Sequence, residues 1–241
     1  MSKVVAIIPA RYHSTRLPAK PLEDIFGKPM IQRVYEGAKA AKKLDRVIVA
    51  TDDERIAGAC RQFDAEVFMT DSKHENGTSR AAEVAVQIDA DYIVIVQGDE
   101  PMIHGDSVDK IVDAINDTDV AYSLMHKITE DIDLRVRAKV ITDLNGYALT
   151  FSRSRIPFNF NDPNPVYYKG VGVYCFEKDF LIKYLTLPMG PIEKAESIEF
   201  LRVLENGYRV KMVEIEQRVQ CVDTHEDLRK VRDYFETHHI L

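Results

Sequence analysis

Arg11, Ser14, Thr15, Arg16 and Lys20 crowd one stretch, Pro9-Ala10-Arg11-Tyr12-His13-Ser14-Thr15-Arg16-Leu17-Pro18-Ala19-Lys20-Pro21-Leu22. Rigid arginine forks, a lysine point charge, hydroxyls and backbone N–H groups are the donors that suit a triphosphate. Pro18 and Pro21 restrict the segment. It contains neither the GxxxxGK[ST] pattern of a P-loop nor the GxGxxG of a dinucleotide loop. The alternative reading is a solvated basic loop.

Acidic groups recur at two other places. Val94-Ile95-Val96-Gln97-Gly98-Asp99-Glu100-Pro101 puts a carboxylate directly after an apolar run. A hard cation such as Mg²⁺ takes a few carboxylates and completes its shell with nucleotide phosphates. Asp99 is therefore either a metal ligand or the cap of the next helix. Val222-Asp223-Thr224 precedes a helical pattern, where Asp223 reads as an N-cap or first-turn residue. It becomes a second metal ligand only if folding brings it beside Asp99. No Ser–His or Cys–His pair has local support, and His13, His104, His126, His225, His238 and His239 read as surface residues.

The elements that must position these groups alternate in the first half. Val4–Ile8, Arg46–Ala50, Glu66–Met69 and Tyr92–Val96 are apolar runs of strand length. Met30–Leu44, a helix starting near Arg55 and capped by Asp52 or Asp53, and Thr78–Ile88 lie between them. Strands buried on both faces and separated by helices predict a doubly wound, mostly parallel α/β sheet. Ligands of such sheets sit outside the carboxyl ends of the strands, and Arg11, Asp52 and Asp99 all follow strand ends.

The second half differs. Lys139–Thr142 and Ala148–Phe151 flank the turn Asp143-Leu144-Asn145-Gly146 and predict a hairpin. Gly172–Phe176 and Arg209–Ile215 read as strands, and Glu177–Leu185, Ile192–Glu205 and Thr224–His238 as helices. A boundary near residue 120 divides a nucleotide-binding part, 1–120, from a smaller β-rich part, 121–241, within one domain spanning 1–241.

The net charge of −7 excludes a general nucleic-acid binder, which carries a basic excess. No apolar run reaches the roughly 18 residues of a membrane span. Cys60, Cys175 and Cys221 are scattered and odd in number, the pattern of free thiols in a reducing compartment. The start shows no signal-peptide pattern. The expectation is a cytoplasmic protein.

The Pro9–Leu22 loop, Phe26-Gly27-Lys28-Pro29-Met30-Ile31, Val49-Ala50-Thr51-Asp52 and His74-Glu75-Asn76-Gly77-Thr78-Ser79-Arg80 resemble consecutive motifs of one family. So do Val96–Pro101, Phe151-Ser152-Arg153-Ser154-Arg155-Ile156-Pro157, Leu201-Arg202-Val203-Leu204 and Val222-Asp223-Thr224. That family is the CMP-Kdo synthetases, the 3-deoxy-manno-octulosonate cytidylyltransferases. The resemblance runs from residue 4 to about 232, nearly the whole chain, and implies a nucleotide-diphospho-sugar transferase-like fold. It implies a homodimeric enzyme that uses CTP and Mg²⁺ to place CMP on a small acidic acceptor.

Residue roles follow at the matching positions. Arg11, Ser14, Arg16 and Lys20 would hold the CTP phosphates, Ala10 and Thr15 would also bind CTP, and Arg11, Arg16, Lys20 and Asp99 would be the catalytic set. Thr51, Asp52, Gly77, Thr78 and Arg80 would line the cytidine pocket. Gln97 would touch both CTP and acceptor. Arg153, Tyr174 and Glu199 would bind the acceptor, and Asp99 and Asp223 the Mg²⁺. The part after residue 120 would carry acceptor binding and dimerisation.

Departures fall on the acceptor side. Gly170 stands where the family has histidine, Phe200 where it has glutamine, and Leu134–Lys139 replaces an Asn-Pro-Asn stretch. Ser79 replaces an acidic residue. Losing groups that hydrogen-bond sugar hydroxyls predicts a shifted acceptor preference, with Arg135 and Arg137 adding positive charge. A modified ulosonic acid, a phosphonate, or a CTP-binding regulatory chain without turnover are the readings this leaves.

Overall fold

The computed structural model describes residues 2–14, 16–128, 130, 133 and 137–239. Thr15, Leu134 and Arg135 lie outside them. The chain forms two compact units, one of residues 1–109 with 218–241 and one of 110–217.

In chain order the elements are β1 (Val4–Ala10), a 3₁₀ turn (Lys20–Leu22), β2 (Asp24–Ile25), β3 (Lys28–Pro29), α1 (Met30–Lys39), β4 (Arg46–Thr51), α2 (Glu54–Arg61) and β5 (Glu66–Met69). Next come α3 (Gly77–Gln87), β6 (Tyr92–Val96), α4 (Gly105–Asp113), β7 (Ala121–Ile128), β8 (Lys139–Thr142), β9 (Ala148–Ser152) and β10 (Tyr167–Glu177). The rest are α5 (Lys178–Tyr184), α6 (Pro191–Glu196), α7 (Phe200–Glu205), β11 (Lys211–Ile215) and α8 (His225–Thr237).

The first unit is α/β. Its sheet runs β6-β1-β4-β5, with every pairing parallel. β1 is buried along its whole length because both faces are covered, which is why it reads as unbroken Val, Ala and Ile. Asp53 starts α2 by accepting a hydrogen bond from the Arg55 N–H, and Asn76 starts α3 by accepting from Ser79 N–H. Thr224 and Asp227 form a reciprocal capping box at the head of α8.

The segment after residue 217 belongs to the first unit for a packing reason. Val222, Leu228, Val231 and Phe235 bury themselves with Leu17, Ile25, Met30 and Met102. Burial of each such side chain contributes about 1.5–3 kcal/mol.

The second unit is mostly antiparallel: β7 pairs β10, β10 pairs β8 and β8 pairs β9, while β11 joins β7 in parallel. The expected hairpin is present. Asp143 accepts from the N–H groups of Asn145 and Tyr147, and Gly146 closes the turn at φ 78°, where glycine carries no side-chain penalty. Two expectations need correction. The helix expected over 192–205 is two helices, broken where Ser197 adopts a left-handed φ of 51°. β7 is a strand that the periodicity did not single out, and its His126 is buried rather than on the surface.

Candidate active site

Lys20 heads the 3₁₀ turn that ends the loop after β1. Ala19 N–H donates to Tyr12 O at 3.1 Å, closing the loop, and Ala19 adopts φ 55° just before Lys20. Leu17 is fully buried and its N–H donates to Ser14 Oγ at 3.4 Å. The loop is thus anchored from inside, while Arg11 remains exposed.

This anchoring carries the Lys20 ammonium to two acidic segments. Nζ lies 2.7 Å from Asp99 Oδ2, 2.9 Å from the Val222 carbonyl oxygen and 3.3 Å from Asp223 Oδ1. Arg16 Nη2 donates to the same Asp223 oxygen at 3.0 Å. Val222 N–H donates to Asp99 O at 2.9 Å, which ties the two acidic segments together through their main chains. Burial is the largest influence on Lys20 and pulls its pKa down, but Asp99 and then Asp223 outweigh it and leave the pKa above the ordinary lysine value. Neither aspartate caps a helix: Thr224 caps α8, and Asp99 points its carboxylate at Lys20.

The oxygens around that ammonium are hard donors of the kind a Mg²⁺-like ion takes. Among the described residues no three His, Cys, Asp or Glu side chains gather as a metal site. Two carboxylates with space left for phosphates is the arrangement a nucleotide-bound ion uses.

A second cluster forms at the carboxyl ends of β1, β4 and β6. Ala10 sits opposite Thr51 in register, and Thr51 is fully buried, its Oγ1 accepting from Asp53 N–H. Arg80 on α3 is buried, pairs with Asp52 at 3.2 Å and donates to Thr70 Oγ1. Thr78 is buried beside it on α3. Gly77 is there for clearance: a Cβ would lie 2.8 Å from Gln97 Oε1 and 2.9 Å from Pro9 Cγ. The sequence reading missed Tyr12 and Arg55, whose guanidinium stacks 3.3 Å from the Tyr12 ring centroid. Arg55 also forks onto Asp53 and, chiefly through that hydrogen bond, holds its pKa down at about 2. The aromatic residue inside the basic loop was the available signal.

The expected acceptor residues of the second unit are engaged differently. Arg153 donates from Nε to Glu196 O and from Nη2 to Ser197 O at 2.9 Å, gripping the left-handed break after α6. Its N–H donates to Glu196 Oε2, and Ser152 Oγ donates to Glu196 Oε1 at 2.6 Å. The Ser152 bond is the main reason that the Glu196 pKa lies below the ordinary carboxylate value. Lys139 is wholly buried, donates to Arg153 O at 2.6 Å and has its pKa lowered by desolvation. Tyr174 meets Phe200 edge-on at 4.7 Å, and Phe200 stacks on Phe151 and Phe176. Glu199 precedes α7 without a side-chain cap. Phe200 is 5% exposed, a packed aromatic, whereas a side chain at Gly170 would meet nothing within 4 Å.

Cys60, Cys175 and Cys221 are free thiols. Among the described residues no helix is long and apolar enough to cross a membrane.

Comparison with known proteins now bears on these clusters. The family model described as cytidylyltransferase matches residues 5–231. A protein of Solibacter usitatus named 3-deoxy-manno-octulosonate cytidylyltransferase is 45% identical over 239 residues, 97% of this chain and 94% of that protein. The Arabidopsis thaliana mitochondrial protein of that name is 42% identical over 95% of this chain and 82% of its own. A solved structure of CMP:2-keto-3-deoxy-manno-octonic acid synthetase complexed with CTP superposes with a TM-score of 0.94 at 39% identity, covering 98% of this chain and all of that one. A 4-diphosphocytidyl-2C-methyl-D-erythritol synthase from Anaerococcus prevotii, at 17% identity and a TM-score of 0.66, shares the fold. The chain belongs to the cytidylyltransferase family, in its 3-deoxy-manno-octulosonate cytidylyltransferase branch.

Proposed function

We propose that the protein transfers CMP from CTP to 3-deoxy-manno-octulosonate and releases pyrophosphate. The observation that carries the reading is the convergence of Arg16, Lys20, Asp99 and Asp223 in one unit. The relatives' shared name and the CTP in the solved complex support nucleotide and acceptor alike.

In this reading an acceptor hydroxyl oxygen attacks the α-phosphorus of CTP in line and releases its proton to solvent. The new P–O bond forms as the bond to the β-phosphate's bridging oxygen breaks. Arg11, Ser14, Thr15, Arg16 and Lys20, with the Ala10 main chain, hold the phosphates. Arg11, Arg16 and Lys20 balance charge that builds on the leaving pyrophosphate. Thr51, Asp52, Gly77, Thr78 and Arg80 hold the cytidine, and the buried Arg80–Asp52 pair keeps their edges fixed. Asp99 and Asp223 hold Mg²⁺, which when bound supplies positive charge to the triphosphate. We assign Gln97 to CTP and acceptor, and Arg153, Tyr174 and Glu199 to the acceptor.

We assign CTP binding to the first unit and acceptor binding to the second. We also infer a cytoplasmic homodimer. Phe158 and Phe160, 82% and 84% exposed, with Leu149 and Ile192, support a partner surface on the second unit. Sedimentation at micromolar concentration checks that assignment: a dimer is expected, and a monomer would remove it.

The decisive assay is pyrophosphate release with CTP and Mg²⁺ across 3-deoxy-manno-octulosonate, related ulosonic acids and phosphonates. Turnover of the first is expected. The open position at Gly170 is the observation that favours a different acid, and turnover confined to phosphonates would replace the acceptor assignment. Silence with every acid, alongside intact CTP binding, would favour a regulatory chain.

A further inference from the structure

We propose that the Lys20 ammonium is a built-in stand-in for the divalent cation, seated between Asp99 and Asp223 until metal and nucleotide arrive together. This rests on the reading above that the two aspartates bind the metal.

Three oxygens surround Nζ: Asp99 Oδ2 at 2.7 Å, Val222 O at 2.9 Å and Asp223 Oδ1 at 3.3 Å. All three are hard donors, and they come from segments 79 and 203 positions away in sequence. Two carboxylates brought this close repel unless a cation lies between them. Lys20 supplies that charge from a side chain only 15% exposed, so its attraction is weakly screened.

The seat suits exchange rather than permanent pairing. The Lys20 backbone is fixed: Leu22 N–H donates to Ala19 O at 2.8 Å, Glu23 N–H to Lys20 O at 3.1 Å, and Pro21 is buried. The four-carbon stem above that backbone retains rotatable bonds. The ammonium can swing away without moving the loop. Arg16 keeps its own bond to Asp223 Oδ1, so that carboxylate stays oriented meanwhile. An ammonium and a divalent ion cannot occupy the same position between Asp99 Oδ2, Val222 O and Asp223 Oδ1. Lys20 must therefore leave when the metal binds, and it leaves easily only when phosphates offer it a new partner. Metal alone binds weakly, metal with CTP binds strongly, and the coupling is reciprocal.

A lysine that served only the phosphates would leave metal affinity untouched when removed. A lysine that merely propped the site open would, when removed, weaken it. The stand-in makes the opposite prediction. Free Mn²⁺, followed by its electron paramagnetic resonance signal, is titrated into wild type, Lys20→Met, Lys20→Arg, Asp99→Asn and Asp223→Asn, with and without CTP. Lys20→Met should bind Mn²⁺ without nucleotide at least about tenfold more tightly than wild type, since a competing charge is gone. CTP should enhance its Mn²⁺ affinity less than it does for wild type. Lys20→Arg, which keeps the charge, should stay weak. Lys20→Gln carries the same expectation as Lys20→Met, and thermal melting shows which variants are folded. Equal or weaker Mn²⁺ binding by folded Lys20→Met and Lys20→Gln, with binding still lost in Asp99→Asn, overturns the stand-in and leaves the metal assignment standing. Wild-type Mn²⁺ affinity in folded Asp99→Asn and Asp223→Asn, with CTP present, overturns the metal assignment itself.

Discussion

The Lys20 cluster of the first unit and the α6–α7 joint of the second handle charge differently. In the first, Lys20 and Arg16 meet Asp99 and Asp223 side chain to side chain, and each of these groups keeps some exposure to water. In the second, Arg202 forks onto Glu193 with both bonds at 2.8 Å, and Lys139 and Arg153 each donate to main-chain oxygens. The first arrangement can exchange partners when a triphosphate arrives. The second is a set of locks that fix the break at Ser197 and the joint between α6 and α7.

The comparison breaks most visibly at Glu193. Glu193→Ala leaves the Arg202 guanidinium uncompensated in a buried place and should cost about 3–5 kcal/mol of stability. Denaturant unfolding checks it, and a loss below about 1 kcal/mol would mean that the fork is not a lock. Next comes Lys20→Ala, expected to lower pyrophosphate release by about 10²- to 10³-fold, roughly 2.7–4 kcal/mol in the barrier. Its melting temperature should fall less than that of Glu193→Ala, which would separate a chemical charge from a structural one.

Gly77→Ala sharpens the picture of the sheet edge proposed for the nucleotide. The added methyl runs into Gln97 and Pro9 and should cost about 1–3 kcal/mol by overpacking, with weakened CTP binding in calorimetry. The smallest effect is expected at Asp53→Ala, about 1 kcal/mol from loss of the α2 cap. The pH sign follows from the depressed pKa. The stabilising effect of Asp53 is present above its unfolded pKa of about 3.9 and disappears as pH falls through about 2. Acid unfolding curves of wild type and variant should therefore converge at the acid end.

Much of the first unit was legible because its strands are buried on both faces and read as unbroken apolar runs, as in β1 and β6. The loop from Arg11 to Lys20 was legible because its donors fall in one short stretch. β7 was not, since Ser123 and His126 interrupt its apolar pattern although both are buried. The break at Ser197 was hidden because nothing in its residue type demands a left-handed backbone. The pairing of Lys20 with Asp223 spans 203 positions, and only packing of Val222 and α8 into the Leu17 cluster creates it. Residue chemistry suggested a cap or a metal ligand at Asp223; tertiary structure gives the cap to Thr224 and sets Asp223 against Lys20. The departure at Phe200 read as a lost sugar contact, yet its ring fills an aromatic core with Phe151, Tyr174 and Phe176, a role that residue type alone did not reveal.

The central claim concerns Asp223, the residue that folding alone delivers to the loop of Arg16 and Lys20. It is tested by pyrophosphate release from CTP and 3-deoxy-manno-octulosonate in Asp223→Asn, with melting recorded on the same sample. The account predicts a folded protein with turnover reduced at least about 100-fold. A folded Asp223→Asn enzyme that keeps wild-type turnover at low Mg²⁺ would contradict it.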